Sequence, residues 1–178
     1  MPRIDFFEDG NKQITQKEVF GLRDDKKNQP AYIDEDLSNK EKWLGTVYND
    51  NGKVVAFYPV DNCIEMKRKE DPNNYASRCE GILRYEVNNL IFTELKDRNL
   101  DKAQIWRKQA KSQILETLRY FFDNYDKNSF KIKAWICNKK QLVNADYSIQ
   151  IQHFKRCTEE EFGIANGINL YIQREIHI

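Results

Sequence analysis

The sequence predicts an α/β (α+β) fold in which a mixed central β-sheet is flanked by helices. One long helical pattern, at 101–124, lies between two strongly apolar strand patterns, at 90–97 and 130–137. A strand, helix, strand order of this kind joins parallel neighbours, whereas strands joined by tight turns pair antiparallel. Both patterns occur in this chain, so we expect a mixed sheet.

The length and composition predict a single domain over 1–178. A chain of 178 residues with 40% hydrophobic and 32% charged residues is large enough to bury one core. Within it we expect an N-terminal extension at 1–43, a core at 44–137 and C-terminal strands at 138–178 that complete the sheet.

The hydropathy and charge of the chain limit its environment and its partners. No apolar run approaches the ~20 residues that span a bilayer, and the start MPRIDFFEDG has no apolar signal core. We therefore expect a cytoplasmic protein without a membrane partner. The formal net charge is +1, so any basic surface for a nucleic acid must be local.

The cysteines and histidines do not have the spacing of a zinc site. The four cysteines are widely separated, no C-x-x-C pair occurs, and the chain has only two histidines. Zinc sites need more closely spaced soft ligands. We therefore expect reduced and mostly buried thiols at Cys63, Cys79, Cys137 and Cys157.

Two patterns open the chain. ITQKEVFGL (14–22) predicts a short helix that Thr15 would cap. LGTVYNDNGKVVAFYPV (44–60) has two apolar runs around four turn-forming residues at 49–52, which predicts a β-hairpin.

The segment after Pro59 is ambiguous. Residues 60–69 (VDNCIEMKRK) predict a helix and, nearly as well, a strand. If the segment is helical, Asp61 and Glu65 share one face at i and i+4.

Two further strands are predicted at 79–86 (CEGILRYE) and 90–97 (LIFTELKD), joined by a tight, Asn-rich turn. On the second strand, Leu90, Phe92, Glu94 and Lys96 alternate with Ile91, Thr93 and Leu95. Successive strand side chains point to opposite faces, so Glu94 and Lys96 lie side by side.

The pairing register of these strands decides which charged side chains meet. A two-residue loop would pair Leu83 with Glu94 and would turn Glu80 to the other face. A three-residue loop would instead pair Ile82 with Glu94, and Glu80 with Lys96. We predict this second register, because it gathers the three charges on one face.

The second half of the chain begins with the clearest helix. In residues 101–124, Asp101 is the expected N-cap and the apolar positions recur at helical spacing: Trp106, Ala110, Ile114, Leu118 and either Phe121 or Phe122. Residues 130–137 (FKIKAWIC) predict a strand, and further strands are expected at 147–154 and 168–178.

An acid, any residue, lysine triplet recurs in this charged chain, but only Glu94 and Lys96 have an informative context. An apolar strand leads into them, an acid, Glu80, precedes them on the previous strand, and a long amphipathic helix follows. This arrangement resembles the PD-(D/E)XK nuclease superfamily, whose core is helix, three strands, helix, strand. The resemblance covers roughly residues 60–137 and implies a restriction-endonuclease-like core.

The resemblance also implies roles for individual residues. Glu80 and Glu94, with the Leu95 backbone carbonyl, would bind Mg²⁺ or Mn²⁺, and Lys96 would be the catalytic lysine. Gln113, in the family's A-x-x-Q-L-like pattern, would face the site. Glu65 would add a carboxylate from the preceding segment, with Asp61 as the alternative.

Mg²⁺ prefers oxygen ligands and keeps several waters, so two carboxylates and one carbonyl suffice to hold it. The implied function is a metal-dependent nuclease that hydrolyses DNA, with RNA as another substrate and a homodimer as one assembly. Phosphate contacts are expected from basic side chains at Lys67, Arg68, Arg107 and Lys111.

Three other interpretations remain open at this stage. Glu94 and Lys96 could be a solvated ion pair at a strand end, which contributes little. The chain could be a catalytically inactive nuclease-like module that binds nucleic acid or protein, since fold does not imply function. It could also be a small immunity or inhibitor protein with protein contacts on its charged surface.

Overall fold

The chain folds into three layers, which are a pair of helices, a six-stranded sheet and a four-stranded sheet. The computed structural model describes residues 3–26, 28–99, 103–140 and 146–178. The helices are α1 (Ala103–Asn124) and α2 (Ser148–Phe162). The strands are β1 (Gln13–Thr15), β2 (Val19–Arg23), β3 (Tyr32–Asp34), β4 (Gly45–Tyr48), β5 (Val55–Pro59), β6 (Gly81–Tyr85), β7 (Asn89–Lys96), β8 (Lys131–Asn138), β9 (Asn169–Ile172) and β10 (Glu175–His177). The predicted mixed α/β class is confirmed.

The six-stranded sheet has the order β1-β5-β6-β7-β8-β9. Strands β5, β6 and β7 pair antiparallel, whereas β8 and β9 run parallel to β7. Helix α1 connects β7 to β8, so the predicted strand, helix, strand unit with parallel neighbours is confirmed.

Strand β7 is covered on both faces, which explains its continuous apolar sequence. Leu90 and Phe92 pack against the helices, whereas Ile91 and Leu95 pack against the four-stranded sheet. The alternation places Glu94 on the helix side of the sheet.

The four-stranded sheet has the order β10-β4-β2-β3 and contradicts the helix predicted at 14–22. That segment contributes to β1 and β2 instead, and the Thr15 hydroxyl accepts from the Lys17 backbone N–H in a turn. Phe20 and Leu22 are fully buried between the two sheets. Their spacing of two residues fits a strand that is half covered, and this burial outweighs the local helical pattern.

The predicted hairpin at 44–60 is wrong in its pairing, although both of its strands exist. Strand β4 lies between β2 and β10 in one sheet, and β5 lies between β1 and β6 in the other. The turn between them carries the chain across the layers, and buried Asn49 fixes it through hydrogen bonds to both backbone groups of Lys53. Val47 and Phe57 therefore meet face to face in the inter-sheet core.

The strand predicted at 147–154 is also wrong, because this segment begins helix α2. Phe154 and Thr158, one turn apart, are buried against the six-stranded sheet, whereas Ile149 is 79% exposed. The alternating isoleucines suggested a strand, but burial follows the helical period. The strands predicted within 168–178 are confirmed as β9 and β10, of which β10 joins the second sheet.

Helix α1 is confirmed, and its predicted apolar face lies on the six-stranded sheet. The expected N-cap, Asp101, lies outside the described residues. All four cysteines are free thiols, with Cys79 and Cys137 buried and Cys63 and Cys157 half-buried.

Candidate functional site

The connection between β6 and β7 sets the position of the carboxylates. It has the predicted three residues but is formed by 86–88, and Glu86 adopts a positive φ of 54°. Ile82 consequently pairs with Phe92 rather than Glu94, so the predicted register is wrong by two residues. A shift of two keeps every side chain on its predicted face.

This register brings the two glutamates together. The last pair of the ladder is Gly81 with Thr93, so Glu80, directly before β6, comes beside Glu94 rather than beside Lys96. The Glu80 backbone carbonyl accepts a hydrogen bond from Val60 (2.9 Å), which ties this end of β6 to the end of β5. Both carboxylates therefore lie at one end of the sheet, under α1.

Glu94 is the most unusual group in the described chain. Its side chain is 0% exposed and contacts the Lys96 ammonium through Oε1. That contact lacks hydrogen-bond geometry, and among the described residues neither Glu94 oxygen has a hydrogen-bond partner. Burial raises the pKa of Glu94 to about 7, although the Lys96 charge opposes the shift. A fully buried carboxylate that has an ion-pair contact but no hydrogen bond is costly, which indicates that its position serves something other than stability.

Glu80 is 8% exposed, and its pKa is raised further than that of Glu94. Burial, followed by the negative charges of Glu94, Asp24 and Asp61, raises the pKa of Glu80 to about 9. Two close carboxylates in a low dielectric cannot both ionise at low cost. At neutral pH the pair therefore favours a bound proton or an external cation.

Lys96 and Gln113 complete the cluster on its helix side. The Lys96 ammonium donates to the Gln113 side-chain carbonyl (3.1 Å), and the Gln113 amide donates to the Arg78 backbone carbonyl (3.0 Å). Gln113 thus reaches Lys96 and holds it beside Glu94.

Thr117, one turn further along α1, fixes this helix to the strand that carries Glu80. Its hydroxyl accepts from the Cys79 backbone N–H (2.8 Å) and donates to the Gln113 backbone carbonyl (2.8 Å). Thr117 is fully buried, so this bridge is protected from water. Sequence reasoning missed Thr117, because its partners lie far apart along the chain.

The segment after β5 forms a turn, so the helix predicted at 60–69 is wrong. The alternative prediction of a strand is also wrong, because the segment forms only an isolated β-bridge between Lys67 and Tyr75 within the described residues. Glu65 is exposed and lines a cavity of about 730 Å³ whose described lining contains none of the cluster residues. The cluster instead receives Asp61, the alternative acid, whose charge acts on both Glu80 and Glu94.

Leu95 turns its side chain away from the cluster, into the core between the sheets. This is the expected orientation for the residue between Glu94 and Lys96 on a strand. The proposed ligand at this position is the backbone carbonyl, so the burial of the side chain leaves that role open to test.

The four basic residues expected to contact phosphate do not form one surface. Arg107 stacks over the rings of Trp106 and Tyr147, and half-buried Lys111 lies near Cys157 on α2, with its pKa lowered by burial. Lys67 and Arg68 line the large cavity near Tyr120. Lys111 and Tyr120 are nine positions apart, which is about 14 Å along a helix, so the predicted basic patch is divided.

The donor set can be compared with the needs of a metal ion. Among the described residues, no group of three or more histidine, cysteine, aspartate or glutamate side chains could hold a metal by itself. Mg²⁺ needs fewer protein ligands, since it binds through one or two carboxylates and keeps several waters. The two buried glutamates, with the unpartnered oxygens of Glu94, fit a hydrated divalent cation.

Comparison with family models, with curated proteins and with solved structures found no match to this chain. Within the described residues, no helix combines the length and apolar character needed to cross a membrane. The carboxylate cluster is therefore the basis for proposing a function.

Proposed function

We propose that this protein is a metal-dependent nuclease that hydrolyses phosphodiester bonds of DNA. Glu80 and Glu94 would hold Mg²⁺ or Mn²⁺, together with the Leu95 backbone carbonyl, and Lys96 would be the catalytic lysine. The observation that carries the proposal is the fully buried Glu94 carboxylate, which has no hydrogen-bond partner among the described residues and lies beside a second buried glutamate.

The order of the elements supports the proposed PD-(D/E)XK relationship. Strands β5, β6 and β7, helix α1 and strand β8 follow one another, as in that superfamily's core after its first helix. Glu80 immediately precedes the second of these strands, and Glu94 and Lys96 end the third. Gln113 on the following helix bonds to the lysine.

The chemistry follows from the positions of these groups. A divalent cation, when bound, polarises the scissile phosphate and lowers the pKa of a water ligand. The two glutamates would hold the cation in their ionised forms, which requires loss of the proton that burial and their mutual repulsion retain at neutral pH. Lys96, 15% exposed, contacts Glu94, where it can orient a water or stabilise the charge on phosphate.

Gln113 acts on Lys96 rather than on substrate. Its carbonyl accepts one ammonium proton, and its amide is anchored on the Arg78 backbone. This leaves the remaining Lys96 protons directed by Glu94 and by whatever enters the site. Gln113 therefore selects one position for a flexible lysine side chain.

The test measures metal binding and cleavage separately. Calorimetric titration of Mn²⁺ into the wild type should show binding, and Glu94→Gln, which keeps the side-chain shape, should abolish it. Lys96→Met should still bind Mn²⁺ but cleave plasmid and single-stranded DNA about 10² to 10⁴ times more slowly, as loss of a proton-transfer or charge-stabilising group predicts.

Glu65→Gln provides the matched control, because Glu65 is exposed and lines a different cavity. It should behave like the wild type in both assays. If the wild type binds no Mn²⁺, the metal-dependent proposal fails. If it binds Mn²⁺ but cleaves neither DNA nor RNA, the site is a cation site without nuclease activity.

A further inference from the structure

Two aspartates lie beside the glutamate pair, and one of them comes from the other sheet. Asp24 directly follows β2 of the four-stranded sheet, and Asp61 follows β5 of the six-stranded sheet. The loops that carry them are connected, since the Asn62 side-chain amide donates to the Gln29 backbone carbonyl (3.4 Å). Both aspartates line one cavity of about 390 Å³, together with Asp25, Lys26, Asn28, Gln29 and Asn62.

The backbone places this cavity beside the glutamate pair, because Asp61 directly follows Val60, whose backbone N–H donates to the Glu80 backbone carbonyl (2.9 Å). The charges of Asp24 and Asp61 both raise the pKa of Glu80. Asp24 itself has a raised pKa, first from burial and then from the charge of Asp61, whereas Lys96 lowers it. One region of the molecule therefore contains Asp24, Asp61, Glu80 and Lys96. Asp24 belongs to the predicted N-terminal extension, whereas the other three belong to the predicted core.

The positive groups around the cavity do not neutralise Asp24. The Arg78 guanidinium pairs with Asp61 (3.0 Å), and Lys26 lies over the Tyr32 ring. Among the described residues, no lysine, arginine or histidine forms an ion pair with Asp24, although the Lys96 charge acts on it. A hydrated cation at the cluster would supply the missing positive charge.

We propose that Asp24 and Asp61 form the outer wall of the cation site, where they accept hydrogen bonds from water ligands of a divalent cation held by Glu80 and Glu94. This inference rests on the proposed function, because it assigns further residues to the same site. Besides the two aspartates, the same region contains Glu94, whose fully buried oxygens have no hydrogen-bond partner within the described chain. Mg²⁺ keeps several water ligands, and those waters need acceptors.

With this role for Asp24, the four-stranded sheet contributes a residue to the metal site. Partners that bind the outer side of metal ligands and waters are typically worth 10 to 100-fold in affinity. Asp24 cannot reach this role without the sheet-on-sheet packing that places the end of β2 near the ends of β5 and β7.

The experiment measures Mn²⁺ affinity by calorimetry in the full chain. Asp24→Asn keeps the side-chain size and removes the charge, and it should weaken Mn²⁺ binding about 10-fold. The control is Asp25→Asn, because the neighbouring Asp25 carboxylate bonds to Arg23 and Tyr32 rather than to the cluster. This control should keep the wild-type affinity.

Thermal melting gives a second readout that does not depend on activity. Without metal, Asp24→Asn should melt at or above the wild-type temperature, because it removes a charge that burial and the nearby Asp61 charge disfavour. With saturating Mn²⁺, the wild type and Asp25→Asn should gain stability, and Asp24→Asn should gain less at equal Mn²⁺ concentration.

Each result separates the two proposals. If the wild type binds Mn²⁺ and Asp24→Asn binds equally well, the outer-wall role is wrong while the metal site stands. If Asp25→Asn weakens binding as much as Asp24→Asn, the effect is one of net charge, and the specific role of Asp24 is again wrong. If the wild type binds no Mn²⁺, the proposed function itself fails.

Discussion

Replacing Glu80 by glutamine should stabilise the metal-free protein at alkaline pH. The pKa of Glu80 is raised from its ordinary value of 4.5 to about 9, chiefly by burial and then by the charge of Glu94. An acid with a raised folded pKa leaves stability intact below the unfolded pKa and lowers it as the pH rises towards the folded pKa. The relevant window therefore runs from pH 4.5 to about 9.

The magnitude follows from the width of that window. At pH 8 the unfolded side chain is ionised and the folded one is still mostly protonated, a gap of about 3.5 pH units. At about 1.36 kcal/mol per unit, the wild type loses about 5 kcal/mol from this group. Glu80→Gln keeps the shape but cannot ionise, so its melting temperature at pH 8 should exceed that of the wild type by about 10 to 20 °C.

The assay is urea and thermal unfolding in EDTA at pH 4, 6 and 8. The two proteins should be similar at pH 4 and diverge progressively towards pH 8. The control Glu65→Gln, an exposed glutamate, should follow the wild type throughout. Parallel pH profiles for Glu80→Gln and the wild type would refute the reasoning, because they would mean that the Glu80 carboxyl is ionised in the folded protein at no cost.

Two further predictions concern the neighbours of the glutamates. In metal-free urea unfolding, Lys96→Met should lower the free energy of unfolding by about 1.4 kcal/mol at pH 8 and by almost nothing at pH 5. The reason is that Glu94, with a pKa of about 7, is charged and paired only at the higher pH. An equal loss at both pH values would contradict this. Thr117→Val should lower the free energy of unfolding by about 1 to 3 kcal/mol, since it leaves the buried Cys79 N–H without its acceptor, whereas Thr117→Ser should lose much less.

The sequence predicted the parts of the fold that strong local patterns determine. Strand β7 and helix α1 each have a long apolar pattern that allows one arrangement, and both lie where expected. Helix α2 was predicted as a strand because its isoleucines alternate, and only packing against the sheet shows that Phe154 and Thr158 are the buried positions. Local sequence patterns fail to predict secondary structure where packing against a neighbouring layer decides which residues are buried.

The sequence predicted which face of the strands carries the candidate site, but it did not predict every residue proposed for the site. Glu80, Glu94 and Lys96 share a face because strand side chains alternate, and a register error of two residues leaves that result unchanged. Asp24 could not be found in the same way. It lies in a polar loop 56 positions before Glu80, and the two meet only because two sheets pack together.

The two sheets also explain how the chain tolerates so costly a cluster. Glu94 lies near the end of β7, in which residues 90–95 are all buried, so the free energy that holds its backbone comes from Ile91, Phe92 and their neighbours rather than from the carboxylate. A well-packed apolar pair at these positions would be more stable than two repelling glutamates. The arrangement therefore supports the proposed cation site, in which binding would remove a penalty already present in the folded protein.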